Sequence, residues 1–216
     1  MTKKIIRALA FFLVLALVYG AVDTVLKIKT YDMHTLHALN QMEEGTVDVV
    51  IVGSSHAGLN IDNRQIWYDT GIATYNAWSG MQPIWNSYYF LKECIAAQKP
   101  KIALVDVYLA GMTIDYSTKL VALKNIASMP WGGDKVKAAF ASFENWQDAV
   151  EALWGMPYYH NRFDEITTDD LAGSYGVEDD GLPTVHHTVD TVTPINMLDY
   201  QAITDTLPLT AKNEKY

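Results

Sequence analysis

The sequence predicts an α/β protein with a parallel sheet, preceded by an N-terminal transmembrane helix. Short runs rich in β-branched and aliphatic residues occur at 49–52, 71–76 and 102–107, the pattern of strands inside a sheet. Between the second and third runs, Ile84, Tyr88, Leu91 and Ile95 recur at helical spacing, so 84–98 is a helix. Strand, helix, strand at these distances implies parallel pairing with right-handed crossovers.

At the N-terminus, Lys3, Lys4 and Arg7 precede an uncharged apolar run from Ala8 to Val22. Extended over residues 5–26, the segment has about the 20 residues that cross a bilayer. The basic flank stays in the cytoplasm by the positive-inside rule, which puts the remainder outside. A cleaved signal peptide is the competing reading, but residues 18–20 are Val-Tyr-Gly and offer no Ala-x-Ala pattern. The chain therefore divides into a cytoplasmic stub and anchor over 1–29 and an extracytoplasmic domain over 30–216. Within that domain, 109–216 reads as a helical insertion with an irregular tail.

Length and composition bound the function. A chain of 216 residues, half of them apolar and with 13 tyrosines and 6 tryptophans, can bury a substantial core. A formal net charge of −9 argues against nucleic acid, which requires clustered Lys and Arg. The lone cysteine, Cys94, excludes an internal disulfide and reads as a buried helical thiol beside Leu91 and Ile95.

Taken in order, residues 30–44 suggest a juxtamembrane helix that ends at Gly45. The run at 49–52 stops at Gly53-Ser54-Ser55-His56, a turn of small residues with two hydroxyls and an imidazole. Residues 60–68 form a short helix capped by Asp62, and 71–76 the second strand. Residues 77–83 form a loop, and Lys99-Pro100-Lys101 ends the helix that follows. After the third strand, 118–128 and 135–154 are helical, with Trp131-Gly132-Gly133-Asp134 between them. Phe140, Phe143, Val150 and Leu153 mark the apolar face of the longer helix. Thr167-Thr168-Asp169-Asp170 is a capping pattern, and 173–216 shows little periodicity.

The chemistry centres on the 53–56 turn, because ligands and nucleophiles collect where strands of an open α/β sheet end. A serine hydroxyl needs a positioned base and donors for a developing oxyanion. Ser55 is the candidate nucleophile. Its own backbone N–H, that of Gly80 and the Asn76 side-chain amide are the candidate donors. His56 lines the site rather than acting as base, since neighbouring side chains after a strand point apart. Trp78 flanks the presumed pocket, and His160, beside Arg162, could line it too. His34 with His37, and His186-His187 with Asp190, lack a further fixed ligand, so no metal and no cofactor is expected.

The stretches Asp48-Val-Val-Ile-Val-Gly-Ser-Ser-His56, Tyr75-Asn-Ala-Trp-Ser-Gly80 and Lys99-Pro-Lys-Ile-Ala-Leu-Val-Asp106 resemble the SGNH (GDSL-like) hydrolase superfamily. More narrowly they resemble its membrane-anchored branch, which includes the D-alanine transfer protein of teichoic acid modification and alginate acetylation proteins. The segment Tyr159-His160-Asn161-Arg162-Phe163 is similar to a further part of that branch. The resemblance implies a three-layer α/β/α sandwich with Ser55 as nucleophile, Gly80 at the second oxyanion position and Ser54 beside the substrate. It also implies acyl-ester chemistry on a cell-surface polysaccharide or teichoic-acid-like polymer, with a membrane-bound O-acyltransferase as partner. Two departures stand out: no Gly-x-Asn-Asp follows the third strand, and no Asp-x-x-His supplies an acid and base. The expectation is an N-terminal portion of a longer protein, inactive by itself.

Overall fold

The computed structural model describes residues 2–27, 33, 35–111, 115–116, 118–155, 159–172, 212 and 215–216. Helix α1 (Thr2–Leu26) is long and apolar enough to cross a membrane, at 1.5 Å per residue about 36 Å from Lys3 to Leu26. Its side chains are exposed from Lys3 to Val22, although Tyr19 already touches Trp154, and the helix enters the folded domain over Asp23 to Leu26.

Among the described residues, three parallel strands form the sheet: β1 (Val49–Gly53), β2 (Thr74–Trp78) and β3 (Ile102–Val105), in the order β2-β1-β3. Val49 pairs with Thr74 on one side and Ile102 on the other, which puts β1 in the centre. Its side chains alternate between two cores, as the pleat requires. Val50 and Val52 join Tyr75, Ala77, Phe90 and Cys94 in the larger one. Val49 and Ile51 join Ala57 and Trp78 in the smaller one on the opposite face.

Helix α2 (Thr35–Gln41) crosses β2, where the Thr35 hydroxyl donates to the Trp78 carbonyl at 3.0 Å. Beyond β1 come α3 (Ser55–Leu59) and α4 (Asn63–Thr70), the latter capped by the Asp62 carboxylate as expected. Helix α5 (Ile84–Gln98) has the bounds its periodicity predicts and buries Trp85, Tyr89, Phe90 and Cys94. It packs on β1 and β2, and against a layer of helices that follows in the chain.

That layer comprises α6 (Lys119–Ser128), α7 (Gly133–Ser142) and α8 (Trp146–Trp154). A single helix over 135–154 is a sequence expectation the structure corrects. Phe143 is extended (φ −125°, ψ 144°) and plugs into the core, and Asn145 starts a new helix. The apolar face is corrected in part: Phe143 and Leu153 reach the core as expected, and Phe140 and Val150 do not. Ala138, Ala139, Ala149 and Ala152 face the core together with Phe143, whereas Phe140, Val150, Trp146 and Trp154 are exposed. Small residues let α7 and α8 approach closely, which turns their bulky side chains outward. Helix α9 (Thr168–Ala172) follows, with Asp170 accepting from the Thr167 backbone N–H and hydroxyl at 3.0 and 3.2 Å.

Candidate functional site

Strand β1 ends at Gly53, where the side chain of Asp106, just past β3, occupies the space a Cβ would need. A side chain on Gly53 would collide with that of Asp106, so the two strand ends approach only with glycine here. The Asp106 carboxylate then organises the turn. Its Oδ2 accepts from the Ser54 hydroxyl at 2.5 Å and the Ser54 backbone N–H at 3.1 Å. Its Oδ1 accepts from the Tyr108 N–H at 2.9 Å. Burial alone would raise this carboxyl, but the Ser54 hydroxyl, the two backbone donors and the nearby His56 hold it below its ordinary range.

Ser54 is thus a buried cap: its Oγ accepts from the His56 N–H at 3.4 Å while donating to Asp106. Ser55 is the first residue of α3 and is half-buried. His56, one residue on, is exposed and turns its ring edge-on to Tyr108, with centroids 4.1 Å apart. The sequence gives no sign of the Ser54–Asp106 pair, whose members are 52 residues apart. Its one legible trace is an acidic residue immediately after an apolar strand.

Next to this turn lies the end of β2. Gly53 pairs with Trp78, and the Ser79 N–H donates to the Gly53 carbonyl at 3.3 Å. The Gly80 loop therefore shares the carboxyl edge of the sheet with Ser55. Its carbonyl accepts from Asn125 Nδ2 at 3.4 Å, which ties the loop to α6.

The remaining candidates lie elsewhere or do other work. Because β2 runs on to Trp78, Asn76 sits mid-strand opposite Ile51, and its amide donates to the Ile61 carbonyl at 3.0 Å. Trp78 is 2% exposed and belongs to the smaller core, its indole filling the space a Cβ on Gly58 would need. His160 is exposed and follows Tyr159, whose hydroxyl donates to Asp23 of α1 at 2.6 Å. It thus belongs to the junction with the N-terminal helix. Among the described residues no three His, Cys, Asp or Glu side chains converge as a metal site. His34, His186, His187 and Asp190 lie outside the described residues. Cys94 is fully buried on α5, and burial pushes its thiol pKa far up.

The turn thus holds a fixed Ser54–Asp106 hydroxyl–carboxylate pair, followed by the half-buried Ser55, with the exposed His56 and Tyr108 rings packed edge-on beside it. No match to the chain was found among family models, curated proteins or solved structures.

Proposed function

We propose that this chain is a membrane-tethered, extracytoplasmic serine esterase or acyltransferase of the SGNH-like kind, acting on acyl groups of cell-envelope glycopolymers. The observation that carries the reading is the anchoring of Ser54 by Asp106. It fixes the turn so that Ser55 follows at the carboxyl edge of the central strand, beside the Gly80 loop. Ser55 Oγ attacks the acyl carbonyl, and the proposed oxyanion donors are the Ser55 backbone N–H and the Gly80 loop. Asn76 leaves the donor set, because its amide is committed to Ile61. The base is a histidine outside this arrangement, since His56 is turned to Tyr108. A three-layer α/β/α sandwich, a single-pass topology with the domain outside the cytoplasm, and a membrane-bound O-acyltransferase as partner complete the proposal.

A second reading is favoured by the same His56 geometry: a non-catalytic accessory protein that holds a glycan or docks on an acyltransferase. One experiment separates the two. Without its base, such a site retains oxyanion stabilisation, so an activated ester supplied at mildly alkaline pH still acylates the nucleophile slowly. Incubation with p-nitrophenyl acetate should leave an acetyl group on Ser55 by peptide mass spectrometry, and none on that peptide in Ser55→Ala. No acetyl group, or one scattered over surface hydroxyls and lysines, removes the nucleophile and leaves the accessory reading.

A further inference from the structure

The end of α1 is built into the folded domain. The Tyr159 hydroxyl donates to Asp23 at 2.6 Å, and one Arg162 nitrogen donates to the Leu26 carbonyl at 2.6 Å. Another Arg162 nitrogen reaches both Asp170 carboxylate oxygens, at 3.2 and 3.3 Å. One turn earlier, the Tyr19 hydroxyl donates to the Trp154 carbonyl at 3.2 Å, with the two rings 6.3 Å apart.

Around this junction Trp154 (66% exposed), Phe163 (72%) and Leu171 (68%) point into solvent. They come from separate elements, and all three elements meet the α1 end. Trp154 touches Tyr19; Phe163 and Leu171 flank Arg162 and Asp170. Isolated exposed apolar residues are ordinary, but a group of them gathered at one helix end is not. Tyr19 lies about 6 Å further along the helix axis than Asp23, toward the apolar segment, and Trp154 sits at that level. Trp146 and Val150 extend an exposed stripe from Trp154 along α8. Asp164 and Glu165, exposed beside Phe163, limit how deep this surface can go.

We propose that this face is a lipid-contacting surface: Trp154, Phe163 and Leu171 seat the domain at the headgroup boundary of the bilayer that α1 crosses. Tryptophan and tyrosine favour that boundary because an apolar ring and a polar N–H or O–H are both satisfied there. The domain is then held close to the membrane in a fixed orientation, not left free on a tether. This inference rests on α1 being a membrane span.

The test uses the full chain in lipid nanodiscs of phosphatidylcholine and phosphatidylglycerol. A fluorophore is placed at Phe163→Cys, Leu171→Cys, Leu13→Cys in mid-span, or Tyr68→Cys on α4 (82% exposed), with spin-labelled lipids as quenchers. The expected result is quenching at 163 and 171 several-fold stronger than at 68, by shallow labels more than deep ones, and deep quenching at 13. If 13 is quenched but 163 and 171 behave like 68, the span stands and the lipid-contacting surface is overturned. If 13 is not quenched either, the span reading fails and takes this inference with it. Labels at 163 and 171 shielded from both lipid and aqueous quenchers would overturn it in favour of contact between copies of the chain.

Discussion

Strands β1 and β3 are built from the same kinds of residues in one register, Val49 beside Ile102 through Val52 beside Val105. Every residue of β1 is buried, and every residue of β3 is exposed. Both satisfy the apolar-run criterion for a strand inside a sheet, so the run by itself does not decide burial. What decides it is where the connections go. Helix α5 returns across β1 and β2, α2 crosses β2, and α3 and α4 lie against the opposite face. Among the described residues these helices leave β3 uncovered. The Asp106–Ser54 pair joins the two regions, since it ties the end of the exposed strand to the turn after the buried one.

The largest expected effect belongs to the buried side. Trp78→Ala should cost about 3–5 kcal/mol, because it empties the smaller core between β1 and α3. Denaturant titration of the detergent-solubilised protein measures it. A loss under about 1 kcal/mol would mean that this face is not packed and that the contrast with β3 is weaker than the burial implies.

Asp106→Asn comes next and probes the link. It removes the charge that two Ser54 donors and the Tyr108 N–H converge on, at an expected cost of about 1–3 kcal/mol. The pH dependence carries the sign. Asp106 titrates below its ordinary range in the folded protein, so the unfolded chain binds the proton more readily. Its contribution is therefore present above the unfolded pKa of about 3.9 and is lost as pH falls through the folded value. Melting temperature against pH should show a shallower acid limb in Asp106→Asn than in the parent. Parallel curves would mean that the carboxylate is not what holds the turn.

The parts of this architecture legible in sequence are those with local causes. The Asp62 cap, the α5 periodicity and the β-branched run of β1 each act within a few residues. The break at Phe143 was hidden because the helical pattern continues through it, and a buried phenylalanine in extended conformation is a tertiary decision. The alanine faces of α7 and α8 inverted the usual rule that large apolar side chains point inward. At the site, parallel pairing of the first two strands is enough to put Ser55 and Gly80 on one edge. Asn76 was displaced because β2 runs two residues further than its apolar run suggests, which moves it from the strand end to mid-strand. Asp106 went unassigned because its partner Ser54 is remote in sequence and meets it only when β1 and β3 pair.

The smallest expected effect is on the exposed strand, and it is the sharpest check on the comparison. Leu104 pairs with Ile51 but is 49% exposed, against 2% for its partner. Leu104→Thr keeps a good strand former and removes only surface that water already reaches, so stability should change by no more than about 0.5 kcal/mol. Open apolar edges also invite pairing with other chains, so the substitution should reduce self-association in sedimentation at matched concentration. A loss of about 2 kcal/mol or more would instead show that β3 is covered in the folded protein by something that packs as closely as α5 does on β1. The burial difference between the two strands would then reflect a missing neighbour, not the path of the chain.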